Sequence, residues 1–183
     1  MAQELSDIPL KRIDGADDTL GAHRGRVLLV VNTASRCGLT PQYAALEAIH
    51  RAKAAEGLEV LGFPANNFKA QEPGTDAEIA SFCSTTYDVT FPLFAKISVR
   101  GDDIHPLYAA LTRAMPDAAG DGPMRERLAS RGMDNGAPGD VLWNFEKFVI
   151  GRDGVVVARF APDVPPDDPR VVAAVDRALD AVA

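Results

Sequence analysis

Val27-Leu28-Leu29-Val30-Val31, then Thr40-Pro41, an Ala-rich stretch to Gly57 and a second apolar run from Leu58 to Phe63 form the part of the chain that decides the fold. An unbroken apolar run of this length reads as a strand buried on both faces. Thr40 is a capping residue type and Pro41 suits a first helical position, so a helix is predicted over 41–56, with Gly57 as its stop. Strand, helix, strand implies a parallel pair joined by a right-handed crossover. Working outward, residues 8–13 read as an earlier strand. Thr75-Asp76-Ala77-Glu78 matches a capping box and opens a helix expected to run to about residue 84. His105 to Ala114 reads as a further helix. Trp143 to Ile150 and Val155 to Phe160 flank Asp153-Gly154, a tight hairpin signal, and a last helix begins near Asp168-Pro169. Residues 116–140 are rich in Gly, Pro and Asp and are expected to form an inserted, partly mobile loop.

This order predicts an α/β chain with a central mixed sheet flanked by helices and an N-terminal β extension, the thioredoxin-like arrangement. A length of 183 residues suits one domain over 1–183, with 116–140 as its insertion. Apolar residues make up 46% and charged residues 25%, which excludes a largely disordered chain. The formal net charge of −7, with no basic run, argues against nucleic acid as a partner. The apolar runs are far shorter than the roughly 20 residues a membrane span needs, and the first fifteen residues hold no secretory h-region. The expectation is therefore a cytoplasmic protein without stable membrane association. His23, His50 and His105 show no metal-ligand spacing.

Cys37 follows a buried strand and precedes a helix start. Unpaired N–H groups and the helix dipole stabilise a thiolate there, the nucleophilic form of the side chain. From position alone, a reactive thiol and a plain buried cysteine are both open. Cys83 falls at helical spacing with Ile79 and Phe82, on one apolar face, which by itself reads as packing. Two simple redox motifs fail: Thr40 occupies the second position of a C-x-x-C pair, and Val30 and Ala34 stand where a peroxiredoxin has Pro and Thr. Gln71 and Trp143-Asn144 supply neutral N–H donors able to stabilise a thiolate or polarise a peroxide oxygen. Taken singly, each also reads as a loop or core residue.

Together these segments resemble the glutathione peroxidase family over nearly the whole chain, from about Leu10 to Pro169. The carrying motifs are Val31-Asn32-Thr33-Ala34-Ser35-Arg36-Cys37-Gly38-Leu39-Thr40, Leu61-Gly62-Phe63-Pro64-Ala65-Asn66-Asn67-Phe68, Gln71-Glu72-Pro73-Gly74, Phe91-Pro92-Leu93-Phe94-Ala95-Lys96-Ile97 and Trp143-Asn144-Phe145-Glu146-Lys147-Phe148. The resemblance implies a thioredoxin-like fold, reduction of hydrogen peroxide and organic hydroperoxides, and a role in peroxide defence. It maps the catalytic tetrad onto Cys37, Gln71, Trp143 and Asn144, with cysteine in place of selenocysteine. Phe82-Cys83 matches the resolving position of members recycled through an internal disulfide, with thioredoxin as reductant. No metal, haem or flavin is implied. Ala65 and Asn67 depart from the usual Cys and Gln of the family. Glutathione remains an alternative reductant, but no Arg/Lys cluster can be assembled from sequence and Arg159 stands alone. A peroxide-sensing redox relay and an inert thioredoxin-like scaffold are the rivals from other classes.

Overall fold

The computed structural model describes residues 5–181. Its main sheet has four strands, β3 (Val27–Thr33), β4 (Leu58–Pro64), β5 (Lys147–Ile150) and β6 (Val156–Phe160), in the order β4-β3-β5-β6. β3 and β4 run parallel with Val27 opposite Leu58, while β3–β5 and β5–β6 are antiparallel. The parallel pair is joined by α1 (Gln42–Lys53) and a short 3-10 turn, Ala54–Glu56. Gly57 ends that turn at φ +106°, a conformation open to glycine, so the expected stop stands.

Alternation along β3 sends its side chains into two cores. Val27, Leu29 and Val31 pack with Tyr43, Leu46 and Ile49 of α1 and with Val171 and Val175 of α5 (Pro169–Asp180). Leu28 and Val30 pack on the opposite face with Leu107, Tyr108 and Leu111 of α3 (Pro106–Ala114). Burial on both faces explains the unbroken apolar run, at about 1.5–3 kcal/mol for each large side chain withdrawn from water. α2 (Asp76–Tyr87) adds Ile79 and Cys83 to the α1 side, and α4 (Asp121–Ser130) adds Met124 and Leu128 to the α3 side.

Several sequence expectations shift. The strand expected over 8–13 is shorter, β1 (Pro9–Lys11), and pairs antiparallel with β2 (Asp17–Thr19), a polar strand that periodicity does not reveal. α2 runs twelve residues, to Tyr87, because Asp88 adopts φ +51° and its amide caps the Cys83 and Ser84 carbonyls. The loop expected over 116–140 holds α4 in its middle. Gly122 and Pro123 belong to the first turn, where Pro is tolerated, and the apolar pair Met124 and Leu128 at i, i+4 supplies the buried face. The strand expected from Trp143 begins only at Lys147. Residues 141–146 are buried but irregular, with Phe145 at φ +68°.

Candidate active site

Cys37 lies in the turn between β3 and α1. Thr40 does not cap α1 as expected; Pro41 takes the cap position. The Thr40 hydroxyl instead donates to the Ala34 carbonyl (2.8 Å) and accepts from the Cys37 amide (3.0 Å). The turn closes with Thr40 N donating to the Cys37 carbonyl at 3.0 Å. This clip consumes the Cys37 amide and leaves the Leu39 amide to donate to Cys37 Sγ at 3.3 Å. The half-buried sulfur thus sits on a backbone donor just before a helix.

Gln71 reaches the same place from the loop after β4. The Arg36 amide donates to the Gln71 carbonyl at 3.0 Å, tying the two loops together. Lys69 and Ala70, immediately before Gln71, both stand at φ +51°. Left-handed backbone at a residue with a Cβ costs on the order of 1 kcal/mol or more. Neither residue type announces that strain in the sequence. The strained turn delivers the Gln71 side chain to the cleft, and Asn144 Nδ2 donates to Gln71 Oε1 at 2.8 Å. With its carbonyl occupied, the Gln71 amide keeps its N–H donors available.

Trp143 and Asn144 come from the irregular segment ahead of β5. Asn32, buried at the end of β3, clamps that segment. Its Nδ2 donates to the Trp143 carbonyl at 3.0 Å, and its Oδ1 accepts from the Glu146 amide at 3.1 Å. Glu146 Oε2 accepts from the Leu142 amide at 2.7 Å. The Trp143 ring packs on Phe68 with centroids 5.1 Å apart, and the Arg100 guanidinium lies 5.0 Å from the Phe68 centroid. Asn32 was missed as a site residue, although a polar residue closing an apolar strand was the signal.

Cys37, Gln71 and Trp143 therefore face one cleft of about 370 Å³, with Asn144 behind Gln71. Met124 and Leu128 of α4, with Met133 beyond it, form the opposite wall. Lys69 and Arg131 bring positive charge to its edge, and Arg127 joins them while paired with Asp163 at 3.1 Å. That cationic group is the cluster the sequence did not reveal, because α4 lies far along the chain. Arg159 plays no part in it. It is buried against Glu146 and donates to the carbonyls of Met115, Pro116, Gly139 and Asp140, so it pins both ends of the 116–140 segment to β6. Asn67 is structural too, bonding Ser98 Oγ, the Arg100 carbonyl and the Val99 amide.

Cys83 is a separate free thiol, fully buried on the inner face of α2. Burial pushes it up to about 11, against a smaller opposing effect of the Tyr43 hydroxyl. Two free cysteines, one at the cleft and one enclosed, are what the fold presents.

A half-buried thiol at the strand-to-helix junction of a four-stranded mixed sheet places the protein among thioredoxin-fold thiol proteins. Residues 5–112 match the glutathione peroxidase family. The chain is 51% identical over 181 residues to the thioredoxin/glutathione peroxidase BtuE of Escherichia coli K12, covering 98% of this chain and 99% of that one. It is 45% identical over 156 residues to a hydroperoxy fatty acid reductase of Synechocystis, covering 85% of each. The apo crystal structure of Trgpx superimposes with a TM-score of 0.72 at 34% identity, covering 98% of both chains. The chain belongs to the glutathione peroxidase family and is a peroxidase, a cysteine-containing member without selenium. Among the described residues no helix is long and apolar enough to cross a membrane.

Proposed function

We propose that Cys37 is the peroxidatic residue of a two-cysteine hydroperoxide reductase recycled by thioredoxin. The Cys37 thiolate attacks one peroxide oxygen, the O–O bond breaks, and water or an alcohol leaves, with Cys37 held as sulfenic acid. The Leu39 amide supports the sulfur, while Gln71 and Trp143 present N–H donors where negative charge moves onto the leaving oxygen. Asn144 orients Gln71. Cys83 then condenses with the sulfenic acid to a disulfide, which thioredoxin reduces by thiol exchange. Such a cycle suits the cytoplasm, where thiols are kept reduced.

The observation that carries this reading is the shared cleft: a thiol with its own amide donor, an oriented glutamine and an indole on one surface. Support for organic hydroperoxides comes from the apolar wall of Met124, Leu128 and Met133, and from the name of the Synechocystis relative. A second reading, direct reduction of the sulfenic acid by glutathione, is favoured by one feature. Lys69 and Arg131 stand where the tripeptide's carboxylates would meet positive charge, with Arg127 already paired to Asp163. Steady-state peroxide consumption with either reductant alone separates the two. Turnover with thioredoxin and little with glutathione is expected; the reverse would replace the first reading with the second.

A further inference from the structure

Glu72 follows Gln71 directly, yet it has no place in the peroxide-reducing step. Its side chain is 1% exposed, and Oε2 has no hydrogen-bond partner among the described residues. Its amide is fixed by Asn66 Oδ1 at 2.9 Å, so the residue is held rather than loose. The Ser35 amide and hydroxyl lie beside the carboxyl, but Oε2 keeps no hydrogen bond of good geometry, and a buried oxygen in that state asks for an explanation. Glu72 lines a second cavity, of about 270 Å³, on the far side of the Cys37 loop. The wall opposite it belongs to α2, where Ile79 and Phe82 line it and the exposed Glu78 stands at its rim. Ser35 and Arg36 of the Cys37 loop complete it. The cavity thus lies between the segment that carries Cys37 and the helix that carries Cys83; Ile79, one turn before Cys83 on the same buried face, lines it, and Cys83 lies enclosed behind.

The geometry points to Glu72 as the proton carrier of the resolving step, an inference that rests on the two-cysteine cycle proposed above. In that step the S–S bond forms as the S–O bond of the Cys37 sulfenic acid breaks. Cys83 is oxidised and Cys37 reduced by the same electron pair. The Cys83 proton moves to Glu72 Oε2 and from there to the departing hydroxide, which leaves as water. No further oxidant or reductant is needed.

Electrostatics favour this route. Burial raises the Glu72 carboxyl above its usual range, with Ser35, Lys96 and Arg36 opposing the rise, so the group binds a proton closer to neutrality than an exposed glutamate. Burial also raises Cys83, and the Glu72 charge adds to that rise. Handing the proton from thiol to carboxylate keeps a single negative charge in the enclosed region. Tyr43, the other titratable group beside Cys83, is pushed well above its ordinary range by burial and has no use as a base. Glu78 on α2 is held down by its bonds to Thr75, so it stays ionised. The titratable groups around Glu72 are therefore Arg36, Lys96, Glu78, Tyr43 and the neutral thiol of Cys83.

The test is to oxidise the full-length protein with one equivalent of hydrogen peroxide and quench over time with a sulfenic-acid-trapping dione. Mass spectrometry then follows the Cys37 adduct and the Cys37–Cys83 disulfide. Losing a positioned base costs about 10²–10⁴ in rate. Glu72→Gln is expected to lengthen the life of the sulfenic acid about 10²-fold and to abolish the rise of the resolution rate with pH as the carboxyl ionises. Glu72→Asp keeps the carboxyl and is expected to retain that pH dependence at an intermediate rate. Disulfide formation at the parent rate in Glu72→Gln, across the pH range, would overturn the role of Glu72 and leave the two-cysteine cycle standing. Absence of the disulfide in the parent protein itself would overturn the cycle and this inference with it.

Discussion

The loop of Cys37 and the last turns of α2 hold the two thiols by opposite means. Around Cys37 the backbone is clipped: Thr40 ties Ala34 to the Cys37 amide, Arg36 is tied to Gln71, and Leu39 donates to the sulfur. Around Cys83 the restraints are mostly apolar. The thiol is enclosed by Tyr43 and Ile79, but the chain beyond it is weak helix. Ser84, Thr85 and Thr86 follow, the hydroxyls of Ser84 and Thr85 bond back to the Ser81 carbonyl, and Asp88 closes the helix at φ +51°. Such residues are poor helix formers, and the αL cap is strained without glycine. At the other end Thr75 and Glu78 form a reciprocal capping box. One thiol is therefore fixed in place by hydrogen bonds. The other lies toward the more weakly capped end of α2, the end that the proposed disulfide would have to loosen.

The largest effect follows from removing the fixed thiol. Cys37→Ser is expected to abolish turnover with every peroxide, since a hydroxyl without a base is no nucleophile. Measurable peroxidase rate in the purified variant would remove Cys37 from its role. Cys83→Ser is expected to consume one equivalent of peroxide, stall as sulfenic acid and lose thioredoxin-driven turnover. Full thioredoxin turnover in that variant would make Cys83 a packing residue. Next in size are Gln71→Ala and Trp143→Phe. Losing one oriented donor typically costs about 10²–10³ in rate, and the low end is expected because several donors share the load. Stopped-flow reaction with peroxide reads this directly, and parent rates in both variants would remove them from the site. Thr40→Val keeps the shape but leaves the Cys37 amide and the Ala34 carbonyl unpaired. If about 1.4 kcal/mol of the roughly 1–3 kcal/mol cost of the unpaired groups falls on positioning, the peroxide step slows about tenfold, with little change in resolution by Cys83.

The narrowest effect, confined to alkaline pH, is on stability. A thiol of ordinary pKa near 9 that is raised to about 11 in the folded protein favours folding fully below the lower value. That contribution is lost as pH climbs from about 9 through 11, where the unfolded chain releases the proton first. Two pK units correspond to at most about 3 kcal/mol. Alkylation of Cys83 and hydrogen exchange across residues 82–90 should both rise in that interval, and Cys83→Ala should flatten the stability curve there. A Cys83 that alkylates as fast as Cys37 at neutral pH would contradict its enclosure.

Much of the architecture was legible because it rests on local signals: the apolar run of β3, Gly57 after α1, the Thr75 capping box, Asp168-Pro169 at the head of α5. What escaped was set by distant partners. β2 is polar, so only its pairing with β1 defines it. α4 is masked by Gly and Pro in a segment whose apolar positions number few, and with it went the cationic edge of the cleft. Thr40 carries the marks of a cap, yet its hydroxyl serves the Cys37 turn because Ala34 and the Cys37 amide compete for it. Lys69 and Ala70 hold positive φ with nothing in their chemistry to show it. The family resemblance, resting on several motifs at once, supplied the grouping of Cys37, Gln71, Trp143 and Asn144 that no single residue could.

The central claim is that the enclosed thiol reaches the fixed one. Peptide mass mapping of the full-length protein after one equivalent of hydrogen peroxide tests it most directly. One Cys37–Cys83 disulfide per chain is expected, with hydrogen exchange raised over residues 82–90 in the oxidised form. Cys37 recovered as sulfinic acid, or joined only to an added thiol while Cys83 stays a free cysteine, would contradict it.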